Sequence, residues 1–479
     1  MLRKLFLAIT AFLTLLPAGA QEITRLTTEY MDRPMGIDVK QPVFGWQMQS
    51  DRYGAAQTAY RIVTATSKEN LENGTYTYDS GTVNSPTSVC IKYNGPELAP
   101  CTRYYWQVLV TDERGKVHES PASWFETGLM GGLWGNAMWI ASNKMQLSPY
   151  RFDYAIEYDV ETAKPGPAKF IFGAPQEDCY VFVMLDTRDS AKVMLGNALY
   201  NKETVQHTLN VSNIIPPADA TKKHHIRLEV RGGGNYDVKV SLDGRVISQG
   251  NQTSINCMRD SIGRPQARLF GIGYRQPQGF DAVFSNIKLL NYKWDNLVLN
   301  SDPKTYNAKG DNKAVLWMPG SDVNAPIMRK NVNVAKAVKR ARLYATARGA
   351  YWFYINGQRV GDGYLNPGWT DFRHRIMYNT YDVTQMLRQG NNALGIELGH
   401  GWFCDDFGWA GAMWGDQYGY KPSALAMIKV EYTDGTNETF VTDNTWKVYN
   451  GGPLYVNNLY HGVIYDARRE VDGWKEPGF

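Results

Sequence analysis

Apolar and polar residues alternate along most of this chain, and this period of two constrains the fold more than any other feature. Trp106, Val108 and Val110 fall on one face of YYWQVLV, which begins at residue 104, and ALGIEL at 393–398 repeats the pattern. Because successive side chains of a β-strand point to opposite faces, the alternation predicts half-buried strands. Helical periodicity is brief, so we predict an all-β chain of tandem β-sandwiches rather than βαβ units.

The length of 479 residues predicts about three domains, each able to bury its own core. Breaks in composition occur at GGLWG and at the polar stretch SDPKTYNAKGDNKA, residues 301–314. The predicted divisions are a signal peptide (1–20), a fibronectin type III or immunoglobulin-like domain (21–130), a second sandwich (137–300), a third sandwich (315–460) and the start of a truncated following domain (461–479).

Residues 1–20 have the pattern of a secretory signal. Arg3 and Lys4 precede an apolar run, and PAGA supplies the small residues of a cleavage site. The run of about twelve apolar residues is too short to span a bilayer. Gln21 would follow the cleavage site, so cleavage leaves no lipid-acceptor cysteine. We therefore expect a periplasmic or secreted protein without a membrane span.

The charge and the residue types exclude some function classes. The formal net charge is +4, and loss of Arg3 and Lys4 would lower it to about +2, which gives no electrostatic basis for nucleic-acid binding. The chain has 14 Trp and 30 Tyr but 7 His. This composition favours surfaces on which a ligand stacks over metal chemistry.

The cysteines are odd in number, and their spacing matches no zinc-binding pattern. They are Cys90, Cys101, Cys179, Cys257 and Cys404. In an exported protein, two interpretations stay open: scattered free thiols, or a Cys90–Cys101 disulfide with the rest free.

Several long segments resemble the N-terminal region of bacterial α-L-rhamnosidases. QTAYRIVTAT and CTRYYWQVLVTDERGK resemble the fibronectin-like first domain of that family, and WGNAMWIAS and YWFYINGQRVGDGYLNPGWTDF resemble its jelly-roll module. The two halves of the jelly-roll pattern are separated here by a long insertion. Its HIRLEV and GIGYRQPQGFDAVFSNIKLL segments are similar to a concanavalin-like or laminin-G-like sandwich.

The resemblance implies a glycoside hydrolase that removes terminal α-L-rhamnose by inversion, with a general acid and a base that activates water. In the family the catalytic glutamates lie in an (α/α)₆ barrel, and this sequence contains no helical array onto which they map. We therefore expect a non-catalytic N-terminal part that recognises rhamnose-containing glycans or acts as a scaffold, separated from its catalytic domain. The alternative is a self-standing secreted carbohydrate-binding protein.

The loop GWFCDDFGWAGAMWGD, which begins at residue 401, combines carboxylates with tryptophans as a sugar cleft does. Its carbohydrate-binding candidates are Trp402, Asp405, Asp406, Trp409 and Trp414. Asp405 and Asp406 are adjacent and would point apart on a strand, which argues against a catalytic pair. Catalysis, contact with a sugar or another domain, and structural packing all remain open for this loop.

The segment INGQRVGDG carries the candidate metal site. In the related modules, rhamnose binding is tied to a calcium ion held by an Asp-Asn pair after this turn; the match gives Asp362, with Gly363 in place of the Asn. Loss of the Asn removes one side-chain ligand. Asp362 is thus the candidate for both calcium and sugar, and Trp369 is a candidate stacking surface. The alternative is a pair of tight turns with positive φ at Asn356, Gly357, Gly361 and Gly363.

Overall fold

A computed structural model describes residues 22–132, 134–144, 151, 153–259, 263, 266–292, 296–318, 324–405, 418–460 and 462–479. Every strand ladder in these residues is antiparallel, and the sheets confirm the predicted all-β class. Helices are short: α1 (Lys68–Glu72), α2 (Gly401–Cys404) and 3-10 turns at Pro217–Asp219, Gly250–Gln252 and Ala467–Arg469. The chain divides into two compact units, residues 1–135 and 136–479.

The first unit contains two sheets. Its strands are β1 (Glu22–Thr28), β2 (Val43–Gln49), β3 (Gln57–Ala65), β4 (Tyr78–Asp79), β5 (Val83–Asn84), β6 (Ile91–Lys92), β7 (Arg103–Asp112), β8 (Val117–Glu119) and β9 (Ser123–Glu126). One sheet has the order β1-β2-β6; the other has the order β4-β3-β7-β8, with β5 on β3 and β9 on β7. In β7 alternate residues are buried, and Trp106 lies at the centre of the core as the sequence predicts. Cys90 and Cys101 are both free, so the suggested disulfide is not formed.

The insertion is a sandwich of an eight-stranded and a six-stranded sheet. Its strands are β10 (Asp153–Glu161), β11 (Pro167–Gln176), β12 (Cys179–Asp186), β13 (Lys192–Leu199), β14 (Lys202–Asn210), β15 (His224–Arg231), β16 (Tyr236–Leu242), β17 (Arg245–Val246), β18 (Ser254–Ile255), β19 (Gly271–Arg275), β20 (Ala282–Asn291), β21 (Leu297–Asp302), β22 (Tyr306–Ala308) and β23 (Ala314–Trp317). The larger sheet runs β17-β16-β15-β10-β20-β21, with β18 and β22 at its margins, and the smaller runs β14-β13-β12-β11-β19-β23.

The boundaries of this sandwich differ from the predicted 137–300. The polar stretch 301–314 is not a linker, because β22 pairs with β20 and β23 pairs with β19. Tyr306 stacks on Trp317 with ring centroids 4.4 Å apart, which ties the polar stretch to the sandwich. At the other end, Ile140 forms a bridge with Ala424 and lies in the core of the third sandwich. The prediction rested on the polar composition of 301–314, but strand pairing and the Tyr306–Trp317 contact place this stretch in the sandwich.

The third sandwich is the jelly-roll module. Its strands are β24 (Ile327–Val334), β25 (Val338–Arg348), β26 (Ala350–Ile355), β27 (Gln358–Arg359), β28 (Asn379–Asp382), β29 (Gly390–Gly399), β30 (Ser423–Tyr432), β31 (Asn437–Val441), β32 (Lys447–Tyr449), β33 (Leu454–Asn458) and β34 (Gly462–Tyr465). A five-stranded sheet, β27-β26-β29-β24-β32, faces a four-stranded sheet, β28-β25-β30-β31. Strands β33 and β34 form a separate hairpin.

Both ends of the insertion meet at Asn450. Ser142 Oγ lies 2.7 Å from Asn450 Oδ1, and the backbone N–H of Asn324 donates to the Asn450 carbonyl at 2.6 Å. The apolar core of the inserted sandwich is also separate from that of the jelly roll. The insertion therefore leaves and re-enters the jelly roll at one place, as an insertion in a loop with close ends should.

Among the residues that the structure describes, no helix is long and apolar enough to cross a membrane.

Replacing residues 145–323 with a short Gly/Ser linker should leave the jelly roll folded, because the two ends already lie within hydrogen-bonding distance of one residue, Asn450. We expect a soluble protein with a β-type circular dichroism spectrum and a cooperative thermal transition. Asn450→Ala in the shortened protein is the matched variant and should lower the transition temperature. An insoluble or non-cooperative shortened protein would contradict the separate cores.

Candidate functional site

Two predicted residues, Trp369 and Trp402, form a stacked aromatic pair on the jelly roll. Their ring centroids lie 5.0 Å apart with an interplanar angle of 15°, and the Trp369 indole N–H donates to the Tyr418 hydroxyl at 3.2 Å. Trp369 remains half exposed. Phe372 and Phe403 pack edge to face beneath the pair and belong to a small buried cluster. This support holds the rings in place and presents an aromatic platform at the surface.

Asp405 follows helix α2 and is buried. Its Oδ1 accepts from the Asn458 side-chain amide at 3.0 Å, and its Oδ2 accepts from the Leu459 N–H at 2.8 Å. His400 Nδ1 lies 3.5 Å from Oδ1. Both carboxylate oxygens are therefore engaged in fixing the β33–β34 hairpin. Three further candidates, Asp406, Trp409 and Trp414, lie outside the described residues.

The turn around Asp362 is organised by Arg359. The Arg359 guanidinium lies 4.7 Å from the Trp352 ring centroid and 4.8 Å from that of Tyr364, and its Nη2 donates to the Gly363 carbonyl at 2.6 Å. Asp362 itself is exposed. Burial is the main cause that raises the pKa of Tyr381, and the carboxylate of Asp362 adds to it.

The glycines of this turn follow the tight-turn interpretation in part. Asn356, Gly357 and Gly361 have φ of 50°, 81° and 69°, in the left-handed region that favours glycine. Gly363 lies outside that region. A Cβ at Gly363 would meet Asn366 Oδ1 at 2.9 Å, so space rather than backbone conformation restricts this position.

The contacts around Asp362 are unfavourable for a calcium ion at the Gly363 carbonyl. The described part of the chain contains no group of three or more His, Cys, Asp or Glu side chains placed to hold a metal ion. The Gly363 carbonyl, which is the oxygen left after loss of the Asn, already accepts a hydrogen bond from a guanidinium. A cation so close would repel Ca²⁺, which needs six to eight oxygen ligands.

A cleft of about 550 Å³ lies between the outer face of the five-stranded sheet and the β33–β34 hairpin. Sequence patterns did not identify it, because its walls come from segments far apart in the chain. Exposed or partly exposed apolar side chains line it: Trp352, Tyr364, Leu365, Val463 and Tyr465. The one sequence signal was GVIY at 462–465, an apolar strand that is exposed at all four residues.

Both carboxylates that line the described part of the cleft accept hydrogen bonds from protein donors. These carboxylates are Glu397 and Asp405. Glu397 Oε2 accepts from the Tyr354 hydroxyl at 3.1 Å, and Asp405 is engaged at both oxygens. Glycoside hydrolysis needs one protonated and one ionised carboxylate that reach the substrate. Asp405 cannot take either role while it holds the hairpin.

The C-terminal segment covers the rest of this sheet face. Trp474 is buried and packs edge to face on Tyr354, with centroids 5.8 Å apart. Arg329 donates from Nη1 to the Phe479 carbonyl at 3.1 Å and from Nη2 to the Glu476 carbonyl at 3.2 Å. Residues 471–479 therefore pack as part of the jelly roll, which differs from the predicted start of a new domain at 461.

Comparison with known proteins gives two family matches. Residues 23–131 match the Rha78A-like, N-terminal immunoglobulin domain. Residues 336–479 match the α-L-rhamnosidase N-terminal domain. The second match reaches the C-terminal segment that packs on the jelly roll.

Longer likenesses cover nearly the whole chain. An α-L-rhamnosidase of Streptomyces avermitilis is 30% identical over 96% of this chain and 44% of its own length. The crystal structure of a Streptomyces avermitilis α-L-rhamnosidase complexed with L-rhamnose matches with 27% identity and a TM-score of 0.60, over 96% of this chain and 44% of that chain. The α-L-rhamnosidase structure from Dictyoglumus thermophilum, 24% identical with a TM-score of 0.54 over 96% of this chain and 33% of that one, shares the fold.

The chain spans less than half the length of these relatives, and both family matches are to N-terminal domains. The first unit and most of the jelly roll thus match N-terminal domains of α-L-rhamnosidases, and nearly the whole chain is similar to part of one such protein.

Proposed function

We propose that this chain is the non-catalytic N-terminal part of an α-L-rhamnosidase, and that it recognises rhamnose-containing glycans and acts as a scaffold for their hydrolysis elsewhere. The observation that carries the proposal is the match of almost the whole chain to 44% of a relative that was crystallised with L-rhamnose. The proposal includes export to the periplasm or beyond, for which the N-terminal signal pattern is the support.

The aromatic platform supports the recognition part of the proposal. A sugar presents a C–H face that packs on an indole ring, and Trp369 offers a half-exposed ring whose plane is fixed by Trp402. The Trp369–Trp402 pair is built on the same jelly roll as Asp362, whose exposed carboxylate can accept hydrogen bonds from hydroxyl groups.

Arg373 supports the same surface in another way. It forms a bidentate pair with Asp371, with both N–H to O distances at 2.8 Å, and this pairing is the main cause that lowers the pKa of Asp371 to about 2. The Arg373 guanidinium also lies 5.7 Å from the Tyr418 ring centroid. The Arg373–Asp371 pair therefore stabilises the edge of the platform beside Tyr418. Trp369 supplies the ring on which a sugar would stack.

The absence of turnover is the first expectation. The described cleft carboxylates are engaged in structural hydrogen bonds, so the purified chain should not release the phenol from an aryl α-L-rhamnoside above the rate of the buffer blank. An active α-L-rhamnosidase serves as the positive control. Turnover that disappears in Glu397→Gln or in Asp405→Asn would show that the chain is itself a hydrolase.

Weak binding at the platform is the second expectation. One sugar stacked on one ring with a few exchanged hydrogen bonds, each worth about 1 kcal/mol net, gives a Kd of about 1 mM or somewhat below. Titration calorimetry with L-rhamnose should show this affinity for the wild type and at least a fivefold loss for Trp369→Ala. Tyr200→Ala, at an exposed aromatic of the inserted sandwich, is the matched control and should bind normally.

Calcium should not change this binding, because an arginine occupies the carbonyl that a calcium ion would need. The titration repeated with EDTA and with added CaCl₂ should give the same Kd. Gly363→Asn should not tighten binding, since the Asn366 side-chain amide would have to move to make room and the Gly363 carbonyl would keep its hydrogen bond from Arg359. Binding that becomes tighter with calcium and disappears in Asp362→Ala would instead establish a metal-linked site at Asp362. Binding that ignores Trp369→Ala would place the sugar elsewhere.

A further inference from the structure

Strand β34 is an exposed apolar edge. Its four residues, Gly462 to Tyr465, are all exposed, with Val463 at 64%, Ile464 at 45% and Tyr465 at 52%. Within the described residues it pairs only with β33, and the two form a sheet of their own. Soluble proteins normally protect such edges with charges, prolines or a covering element. A charge-free edge of this kind marks a surface that another segment covers.

The exposed apolar surface continues from the hairpin across the cleft. We call the apolar strip the set of cleft residues Trp352, Tyr364, Leu365, Val463 and Tyr465. Their exposed fractions run from 37% for Trp352 to 75% for Tyr364. Together they expose roughly 500 Å², in the upper range for one patch on a soluble monomer and a large part of the ~800 Å² that each partner buries in a standard interface. Ile464 adds apolar surface on the opposite side of the hairpin.

The polar groups of the strip do not suit a glycan. Glu397 accepts from Tyr354, and both oxygens of Asp405 accept from the hairpin. The Asn457 side-chain oxygen accepts from the His400 N–H at 2.7 Å. A sugar placed here would lose hydrogen bonds with water and regain few, whereas an apolar protein surface would lose none.

The C-terminal segment shows which protein surface fits. Residues 471–479 already lie across the same sheet face, with Trp474 buried and the Phe479 ring 62% exposed at its end. The relatives extend over more than twice the matched length, so most of each relative is polypeptide that lies outside the match. In those longer proteins, any polypeptide that continues from this segment starts beside the apolar strip.

We infer that the apolar strip and strand β34 are the docking surface for the remaining polypeptide of the α-L-rhamnosidase, in the same chain or supplied separately. This inference rests on the proposed function, because it takes the partner from the family. The hairpin inserts its Ile464 side into the partner while the cleft receives an apolar projection from it. The aromatic platform stays outside this contact and remains available to a glycan.

Sedimentation velocity tests the inference. The purified chain should sediment as a monomer alone, and should form a 1:1 complex with the part of the Streptomyces avermitilis α-L-rhamnosidase that lies outside the matched 44%, produced as a separate polypeptide. Val463→Lys and Ile464→Lys should each weaken the complex at least tenfold. Val246→Lys is the matched control, since Val246 is a 48% exposed strand residue of the inserted sandwich.

A second measurement guards against misfolded variants and does not depend on them. Hydrogen exchange of the wild-type chain should show that amides of β34 exchange fast alone and become protected in the complex, while those of β17 do not change. Absence of a complex, or a complex that Val463→Lys leaves intact, overturns the inference. A discrete dimer of the chain alone that Val463→Lys disrupts also overturns it, in favour of a second copy.

The same variants separate this inference from the proposed function. Rhamnose binding at the platform should survive Val463→Lys, and docking should survive Trp369→Ala. If L-rhamnose binding is lost in Val463→Lys, the cleft is a sugar site and the docking inference is wrong. If docking occurs but the wild-type chain does not bind rhamnose, the recognition part of the proposed function fails and the docking surface stands.

Discussion

The pairing of β26 with β29 is the constraint on which the surfaces of the jelly roll depend. Phe353 lies opposite Ile396 in this ladder, and both side chains enter the core between the two sheets. Burial of each such side chain contributes about 1.5–3 kcal/mol, and a slip of one residue would turn every one of them outward. The register therefore fixes Trp352, Tyr354 and Glu397 on the outer face, where the cleft and the C-terminal segment lie.

Residues 401–405 link the two candidate surfaces. Trp402 of α2 stacks on Trp369 and so belongs to the platform. Asp405, directly after α2, accepts hydrogen bonds from the hairpin that forms one wall of the cleft. A carboxylate is buried at reasonable cost only when hydrogen bonds satisfy it, and the Asn458 amide and the Leu459 N–H do so here. Loss of that carboxylate would remove the acceptor of the buried Asn458 amide and of the part-buried Leu459 N–H, and an unsatisfied buried donor costs about 1–3 kcal/mol. Residues 401–405 thus join the aromatic platform to the hairpin.

The sequence predicted the features that depend on local periodicity and motif. The buried faces of β7 and β29, the all-β class and the insertion within a jelly roll follow from alternation and from matched segments. These features need only neighbouring residues or long, ordered motifs. Trp369 and Trp402 were candidates from two separate segments, and the structure shows that their rings stack.

The features that sequence reasoning missed depend on contacts between distant segments. The role of Asp405 stayed open between catalysis, sugar contact and structural packing, because its hairpin partners lie more than fifty residues later in the chain. Arg359 occupies the Gly363 carbonyl through a side-chain orientation that the motif does not show. The C-terminal segment appeared to begin a new domain, yet Trp474 packs on Tyr354. No local pattern encodes such pairings.

A crystal structure of the chain soaked with L-rhamnose tests the central claim most directly, namely that this region recognises rhamnose and does not hydrolyse it. The expected electron density is a sugar ring parallel to the Trp369 indole, with its hydroxyl groups toward solvent. We also expect an apolar cleft without sugar density. Rhamnose seated between Glu397 and Asp405, with the Asn458 and Leu459 hydrogen bonds broken, would contradict the account and make the cleft a catalytic site.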